Sequence, residues 1–327
     1  MSINVGVVGT GFVADKRAQA LAQDSRVKLK SVAGNSPYNV SSFAQKYSLK
    51  KMESWRDLVE DPSLNLIFVS NINSDHGLVT RAALEGHKHV VVEYPLSLDP
   101  QEARELIELA RKKGLMLHVE HIELLGGVHQ IAKKNLHLIG KVFLARYVTI
   151  SPKTPVGQRW TYNQTLFGFP LVGALSRIHR LSDLLGPFNR VYCADRYWWE
   201  LPADNPSGNY RSCLCQAQLI TDDLIAEVVY GKGEVFCQSA RTLELHGEEG
   251  MLYFEGERGY LLKQGQKSDL EAPERKGLIA QDTMLVLDSI LQDKPLYVRV
   301  QESLYSLDVA DMARRSAQQR QTLHLEH

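Results

Sequence analysis

The sequence predicts an α/β chain in two parts: a doubly wound parallel sheet, then an α+β domain with a large, mostly antiparallel sheet. Three observations carry this. The first 120 residues alternate apolar strand-like runs with amphipathic helical stretches, the pattern of a parallel sheet covered on both faces. A glycine turn, Gly9-Thr10-Gly11, follows the first run at once and opens a helix. Between residues 189 and 254, four or more strand-like segments rich in Tyr, Val, Leu and Cys succeed one another with helices grouped beside them, which reads as α+β.

In the first part the strands are expected at Val5–Val8, Val27–Ala33, Leu64–Ser70, His89–Val92 and Leu115–Val119. The helices fall between them, at Phe12–Ala22, Asn39–Tyr47, Trp55–Glu60, Asp75–Glu85 and Gln101–Lys113. Asp75 is placed to cap its helix and Gly86 to take the left-handed position after it, while Asp99-Pro100 offers a cap followed by proline at the first helical position. From Ile122 the pattern changes to a helix at Val128–Leu138, a long strand at Val142–Ile150 and a loop with Pro152 and Pro155. A helix from about Pro170 to Leu185 ends at Gly186-Pro187, and two more helices close the chain around Asp282–Leu291 and Gln301–Arg315. The expected division is therefore residues 1–121, residues 122–324, and 325–327 as the start of an expression tag. The length of 327 residues fits two domains of ordinary size.

Composition bounds the function. Lys+Arg and Asp+Glu both number 38, which excludes a protein that holds nucleic acid by net positive charge. No stretch approaches the roughly 20 apolar residues of a spanning helix, and the N-terminus lacks the features of a signal peptide; the expected location is the cytoplasm. Cys193, Cys213, Cys215 and Cys237 lack metal-site spacing and are expected to be buried thiols within strands.

Gly9-Thr10-Gly11-Phe12-Val13-Ala14 has the strand, turn and helix context of a dinucleotide fingerprint. Gly9 permits the tight turn, Gly11 lets backbone approach a pyrophosphate, and the small Ala14 lets helix pack against strand. Phe12 and Val13 then present helix N-terminal N–H groups to the phosphates. This makes the first part a Rossmann domain. The second strand ends in Ala33-Gly34-Asn35-Ser36, where a carboxylate would accept from the ribose of NAD. Neutral Asn35 and Ser36 do not repel a 2'-phosphate, so NADPH is the expected cofactor, with NADH also possible.

Two further segments make a family resemblance specific. Asn71-Ile72-Asn73-Ser74-Asp75-His76, followed by Ala82-Ala83-Leu84-Glu85-Gly86-His87-Lys88-His89-Val90 and Glu93-Tyr94-Pro95, resembles the glucose-fructose oxidoreductase and inositol dehydrogenase family. The resemblance spans the whole chain and implies that Asn71, Asn73, His76 and Glu93 meet the cofactor. Where family dehydrogenases carry lysine in E-K-P, this sequence has Tyr94. A phenol with a reference pKa near 10 is a donor rather than a base at neutral pH, which argues against alcohol oxidation.

E-Y-P, together with His118-Val119-Glu120-His121, Gln158-Arg159-Trp160-Thr161-Tyr162, Phe167-Gly168-Phe169-Pro170 and Ser176-Arg177-Ile178-His179-Arg180, is similar to biliverdin reductases of the cyanobacterial type. That resemblance implies reduction of biliverdin IXα to bilirubin by hydride transfer from NADPH to C10, with a proton to a pyrrole nitrogen and no metal. It implies Arg177 near the reacting bilin as an electrostatic stabiliser, and Tyr94 as a neighbour that stacks or donates. Arg177 and Arg180 share a helix face, and a guanidinium fork suits propionate or lactam oxygens. His118 and His121 are expected to give polar contacts to substrate, Trp160 and Phe169 to form apolar walls with Tyr162 and Phe167, and Arg241 and Arg159 to serve as further propionate partners. The alternatives are a dehydrogenase of sugars or cyclic polyols, and a catalytically silent NAD(P)-binding regulator. Oligomeric state is left open.

Overall fold

A computed structural model describes residues 2–200 and 208–325. In chain order its first elements are β1 (Ile3–Val8), α1 (Phe12–Ala22), β2 (Val27–Ala33), α2 (Pro37–Tyr47), β3 (Lys50–Lys51), α3 (Trp55–Glu60), β4 (Leu66–Val69), α4 (His76–Glu85), β5 (His89–Glu93), α5 (Pro100–Lys113) and β6 (Leu117–Glu120). There follow α6 (Gly127–Asn135), β7 (Val142–Pro152), α7 (Gln164–Phe167), α8 (Pro170–Gly173), α9 (Ser176–Leu185), β8 (Arg190–Trp199), β9 (Tyr210–Ile220), β10 (Ile225–Gly233), β11 (Ala240–Gly247), β12 (Gly250–Glu255), β13 (Arg258–Lys263), β14 (Gln266–Glu271), α10 (Leu278–Gln292), α11 (Val300–Gln319) and β15 (Leu323–His324).

The chain divides into two compact units. The first is Met1–Ile122 with Gly277–Leu304, and the second is Glu123–Lys276 with Tyr305–His327. The first boundary lies one residue from the one read in the sequence, but residues 277–304 return to the first unit, where one unbroken domain over 122–324 was expected. The reason is a helix pairing: α10 packs on α1, and Val286 and Leu287 join Ala14, Ala18 and Leu21 in one buried cluster.

Among the described residues the first unit holds a six-stranded sheet in the order β3-β2-β1-β4-β5-β6, and its pairings are parallel. The order reverses beside β1, which puts the crevice for a ligand at the carboxyl ends of β1 and β4. Local signals explain most helix ends. Asp99 accepts from the Gln101 N–H with Pro100 in the first turn, and Gly114 takes the left-handed position after α5. Two expected signals fall elsewhere. Asp75 makes no cap, because a short 3₁₀ turn over Asn73–Asp75 leads straight into α4. Gly86 has φ −74°, and the left-handed residue is His87.

The second unit holds, among the described residues, a nine-stranded sheet ordered β14-β13-β12-β11-β7-β10-β9-β8-β15. Only β7 and β10 run parallel; the other pairings are antiparallel. The single helix expected over Pro170–Leu185 is two, α8 and α9. Ala174 departs from helical geometry at φ −111°, ψ 39°, and Gly173 lies so close to the Phe167 ring that a Cβ there would be 2.4 Å from it. Cys193, Cys213 and Cys215 are buried in strands as expected, whereas Cys237 is exposed in the turn after β10. The Leu325 N–H donates to the Asn189 carbonyl, continuing the edge pairing of β15; Glu326 and His327, the rest of the expected tag, lie outside the described residues. No described helix is long and apolar enough to cross a membrane.

The tie between α1 and α10 is an ion pair with both side chains inaccessible: Arg17 Nη1 lies 2.7 Å from Asp282 Oδ2. Removing one member of such a pair strands a buried charge. Asp282→Ala should therefore destabilise the protein by about 3–5 kcal/mol, measured as a lowered urea midpoint.

Candidate active site

The nucleotide end of the first unit is built by Gly9 and Gly11. Gly9 has φ +122°, and a Cβ on it would lie 2.2 Å from the Ser70 carbonyl oxygen, so the tight approach of β1 to the end of β4 requires glycine. Gly11 is different. Its φ is −80°, open to any residue, and a Cβ there would meet no protein atom within 4 Å. The open space at Gly11 is room for a ligand rather than for packing. Gly11 is the N-cap of α1 without a side-chain cap, so the first N–H groups of the helix, at Phe12 and Val13, remain for an anion. Ala14 is fully buried, and Phe12 is 72% exposed. These residues fit the pyrophosphate of a dinucleotide. Asn35 is exposed, while the Ser36 hydroxyl accepts from the Asn39 N–H and caps α2.

His76 Nδ1 lies 2.8 Å from the Pro95 carbonyl oxygen. Burial pushes the His76 imidazole below its usual pKa, so it is the neutral ring that donates there. This bond fixes the loop after β5 that carries Tyr94. Asn73 is buried and Asn71 half-buried in the same stretch. Tyr94 is half-buried, and its ring stacks on His121 at 5.3 Å between centroids. His121 in turn has Nε2 2.8 Å from Ser303 Oγ, and its backbone N–H donates to the Tyr297 hydroxyl.

Behind these lies a buried charge network that sequence reasoning missed. Arg17 Nε donates to Glu93 Oε1 at 2.9 Å. His118 Nε2 and the Tyr297 hydroxyl both donate to Asp282 Oδ1, at 2.7 and 2.8 Å. Burial alone would raise the Asp282 pKa, but Arg17 and then His118 outweigh it and hold the carboxyl below its usual range. Glu120 is the counterpart. Burial, the charge of Glu93 and a hydrogen bond with it push the Glu120 carboxyl well above its usual range. His118 is thus corrected from a substrate contact to an internal member of this network, with its ring turned to Asp282. Glu93 keeps 16% of its side chain exposed.

The second unit gathers the arginines. Helix α9 crosses the parallel pair β7 and β10, with the Arg180 guanidinium 5.2 Å from the Tyr147 ring centre and that of Arg177 5.2 Å from Tyr230. Arg177 is half-buried and bonds Ser176 Oγ at 3.0 Å. Arg180 is not the open fork the sequence suggested. It is buried and shares Glu123 with Arg241 and with Arg275, a residue the sequence reading did not single out. Burial opposes ionisation of Glu123, but the three guanidiniums outweigh it and hold the carboxyl below its usual range.

Trp160 is half-buried against Phe167, whereas Tyr162, Phe167 and Phe169 are buried, so Phe169 serves packing more than an open wall. Arg159 is exposed. Sequence reading also missed Lys232, whose ammonium lies 3.6 Å from the Phe167 ring centre and 4.8 Å from that of Tyr162. Burial pushes its pKa down to about 8. The flanking Gly231 and Gly233 were the available signal: Gly231 makes way for the Phe236 ring, and Gly233 has φ +111°.

Residues 3–121 match an oxidoreductase family with an NAD-binding Rossmann fold, and residues 133–325 match that family's C-terminal α/β domain. A crystal structure of biliverdin reductase from Synechocystis sp. PCC 6803, in complex with biliverdin and NADP+, is 46% identical, covers 97% of this chain and 99% of that one, and superposes with a TM-score of 0.93. Human biliverdin reductase A is 33% identical over 138 residues, 42% of this chain; this chain spans 44% of the length of that relative. Levoglucosan dehydrogenase in complex with NADH and L-sorbose shares the fold, with a TM-score of 0.85 at 16% identity over both full chains.

Two outcomes follow. Gly11→Val should leave the free energy of unfolding within about 1 kcal/mol of wild type while weakening NADPH binding, measured by fluorescence titration, at least about tenfold. Glu120 is raised in the folded state, so its contribution to stability is full below the unfolded value and is lost as pH rises through the folded one. Glu120→Gln abolishes that loss. The stability difference, variant minus wild type, should therefore grow as pH rises from the unfolded carboxyl value of about 4.3 toward the folded one, by up to about 1.4 kcal/mol per pH unit.

Proposed function

Because the chain belongs to the glucose-fructose oxidoreductase and inositol dehydrogenase family of NAD-binding oxidoreductases, we propose that it reduces biliverdin IXα to bilirubin IXα with NADPH. The observation that carries this reading is the 46% identity, over 97% of the chain, to an enzyme crystallised with biliverdin and NADP+. Tyr94 supports it. With a phenol where the sugar dehydrogenases of the family place lysine, the site has no amine there to take a proton from an alcohol.

NADPH supplies a hydride, which C10 of the bilin accepts, while one proton goes to a pyrrole nitrogen; bilirubin and NADP+ result. The chain's own residues then have separate tasks. The Gly9 to Ala14 turn and the uncapped start of α1 bind the pyrophosphate, and neutral Asn35 and Ser36 admit a 2'-phosphate. Asn71, Asn73, His76 and Glu93 shape the rest of the nucleotide end. Arg177 stabilises the charge that develops on the bilin as hydride arrives. Arginine holds its proton too tightly to donate it readily, so its part is hydrogen bonding and electrostatics. Tyr94, fixed by its stack on His121, lies along the bilin, and Trp160 offers an apolar surface.

Anaerobic mixing of protein, NADPH and biliverdin should replace the bilin's red absorption with the blue band of bilirubin. A rate equal to the enzyme-free control, with NADPH binding intact, would overturn the reading. Arg177→Ala should lower kcat/KM about 100-fold without loss of NADPH affinity, and Tyr94→Phe by less than about tenfold.

A further inference from the structure

Lys232 is a buried ammonium without an acid. The residue is 5% exposed, and among the described residues no carboxylate pairs with it. Four rings enclose Nζ instead, with centres at 3.6 Å for Phe167, 4.8 Å for Tyr162, 5.5 Å for Tyr210 and 5.8 Å for Tyr230. Nζ also donates to the Thr161 carbonyl oxygen, which accepts from the Tyr210 hydroxyl at 3.1 Å as well. A methionine of similar length would fill this space without taking a charge out of water. The charge is therefore a cost that packing alone does not call for.

The contacts of this ammonium lead to two residues of the proposed site. Thr161 belongs to the short 3₁₀ turn Trp160–Tyr162, so the bond to its carbonyl fixes the residue next to Trp160. Phe167, the ring nearest the ammonium, is the one on which Trp160 leans, at 6.0 Å between centroids, and it is itself pressed against Gly173. Tyr230 stands two residues before Lys232 on β10, on the same face of the strand. Its ring carries the Arg177 guanidinium at 5.2 Å, so two cations share one phenol, and the charge of Arg177 acts on Lys232 through space.

We propose that Lys232 is a positioning residue: its ammonium sets the places of Trp160 and Arg177 through the Thr161 carbonyl and the rings of Phe167 and Tyr230. What Trp160 and Arg177 do rests on the functional reading above, which this deepens. A cation grips a ring by its charge, so the hold exists while Lys232 is protonated, and burial brings its pKa down to about 8. The groups that face it are Cys213 and Tyr210 of β9, Tyr162 of the turn, Tyr230 of β10 and Arg177 of α9. Burial pushes Cys213 up to about 11 and raises Tyr162 and Tyr210 too, and Arg177 keeps its proton. Because the folded value of Lys232 lies below the unfolded one, the unfolded chain binds this proton more tightly, and stability rises with pH from about 8 toward about 10.4. Loss of the ammonium thus favours the fold while it releases Trp160 and Arg177. Stability and turnover move in opposite directions.

The test compares wild type with Lys232→Met in turnover, stability and emission. With saturating NADPH and biliverdin, the variant should lower kcat between about tenfold and about 100-fold, the scale of a misplaced group, and leave NADPH affinity unchanged. The ratio of wild-type to variant kcat should fall at least about fivefold from about pH 7 to about pH 9 as wild type loses the ammonium. Over the same range the urea midpoint of wild type should rise relative to that of the variant, which a merely structural role would not pair with falling turnover. Trp160 emission, taken as the difference from Trp160→Phe, should titrate in wild type with a midpoint near pH 8 and stay flat in Lys232→Met. A variant kcat equal to that of wild type, a ratio unchanged by pH, or a flat wild-type emission titration overturns the proposal. If wild type turns over no biliverdin, the reductase reading falls, and the emission titration alone decides whether Lys232 holds Trp160. Should Lys232→Met not fold, the wild-type emission titration decides in the same way.

Discussion

The ion pair of Arg17 and Asp282 is the constraint on which the first unit depends. Arg17 sits in the second turn of α1, the helix whose first turn is the nucleotide end, and its side chain is wholly inaccessible. A lone buried guanidinium would be prohibitively costly. Asp282 of α10 and Glu93 of β5 supply the compensating charge, and Thr283 accepts from Arg17 Nη1 at 3.1 Å. A helix more than 260 residues away in sequence must therefore dock before α1 can keep this charge buried. The return of residues 277–304 to the first unit is thus an electrostatic requirement as well as an apolar one. Because Glu93 immediately precedes Tyr94, the same arginine also braces the strand end that carries the tyrosine.

The network has more acids than one arginine can neutralise, and their proton affinities are driven apart. Glu93, Glu120 and Asp282 all surround Arg17. Asp282 takes the closest contact with Arg17 and the hydrogen bond of His118, which hold it ionised. The Glu120 carboxyl, fully buried and beside Glu93, is pushed well above its usual range instead, much as two carboxylates in one site ionise unequally. The second unit has the opposite imbalance. Around Glu123, three guanidiniums share one carboxylate, and arginine cannot relieve a surplus by losing a proton. A positive surplus of this kind is met by an incoming anion or by water.

What the sequence made legible follows from the range of the interactions involved. Gly9 and Gly11 could be read because a turn is a local event: backbone conformation at one residue and the helix two residues later decide it. The six parallel strands were legible for the same reason, apart from the two-residue β3, which is too short for a pattern. His118 was misread because its partner, Asp282, is 164 residues away; nothing near His118 in the chain says which way the ring turns. Arg180 shows the limit from the other side. Its shared helix face with Arg177 was legible from spacing, but that Glu123 would occupy its fork depends on a fold-back of 57 residues. The break between α8 and α9 at Ala174, beside a Gly173 against which the Phe167 ring is pressed, is likewise nothing that periodicity alone discloses.

Position 94 separates the two chemistries open to this fold. Oxidising an alcohol requires a group that takes a proton as the hydride leaves, and an amine whose pKa is lowered by its surroundings can do so near neutrality. Reducing a conjugated bilin runs the other way, since the substrate gains both hydride and proton. A residue at the strand end then need not be a base. It must present a flat, partly apolar surface in a fixed orientation, and a tyrosine held by a stacked histidine does this. On the proposed function, tyrosine where the family's sugar dehydrogenases have lysine fits the direction of the reaction rather than a loss of function. The arginine-rich composition of the second unit agrees with that sense, because a substrate with carboxylate arms needs cations where a sugar needs hydroxyl partners.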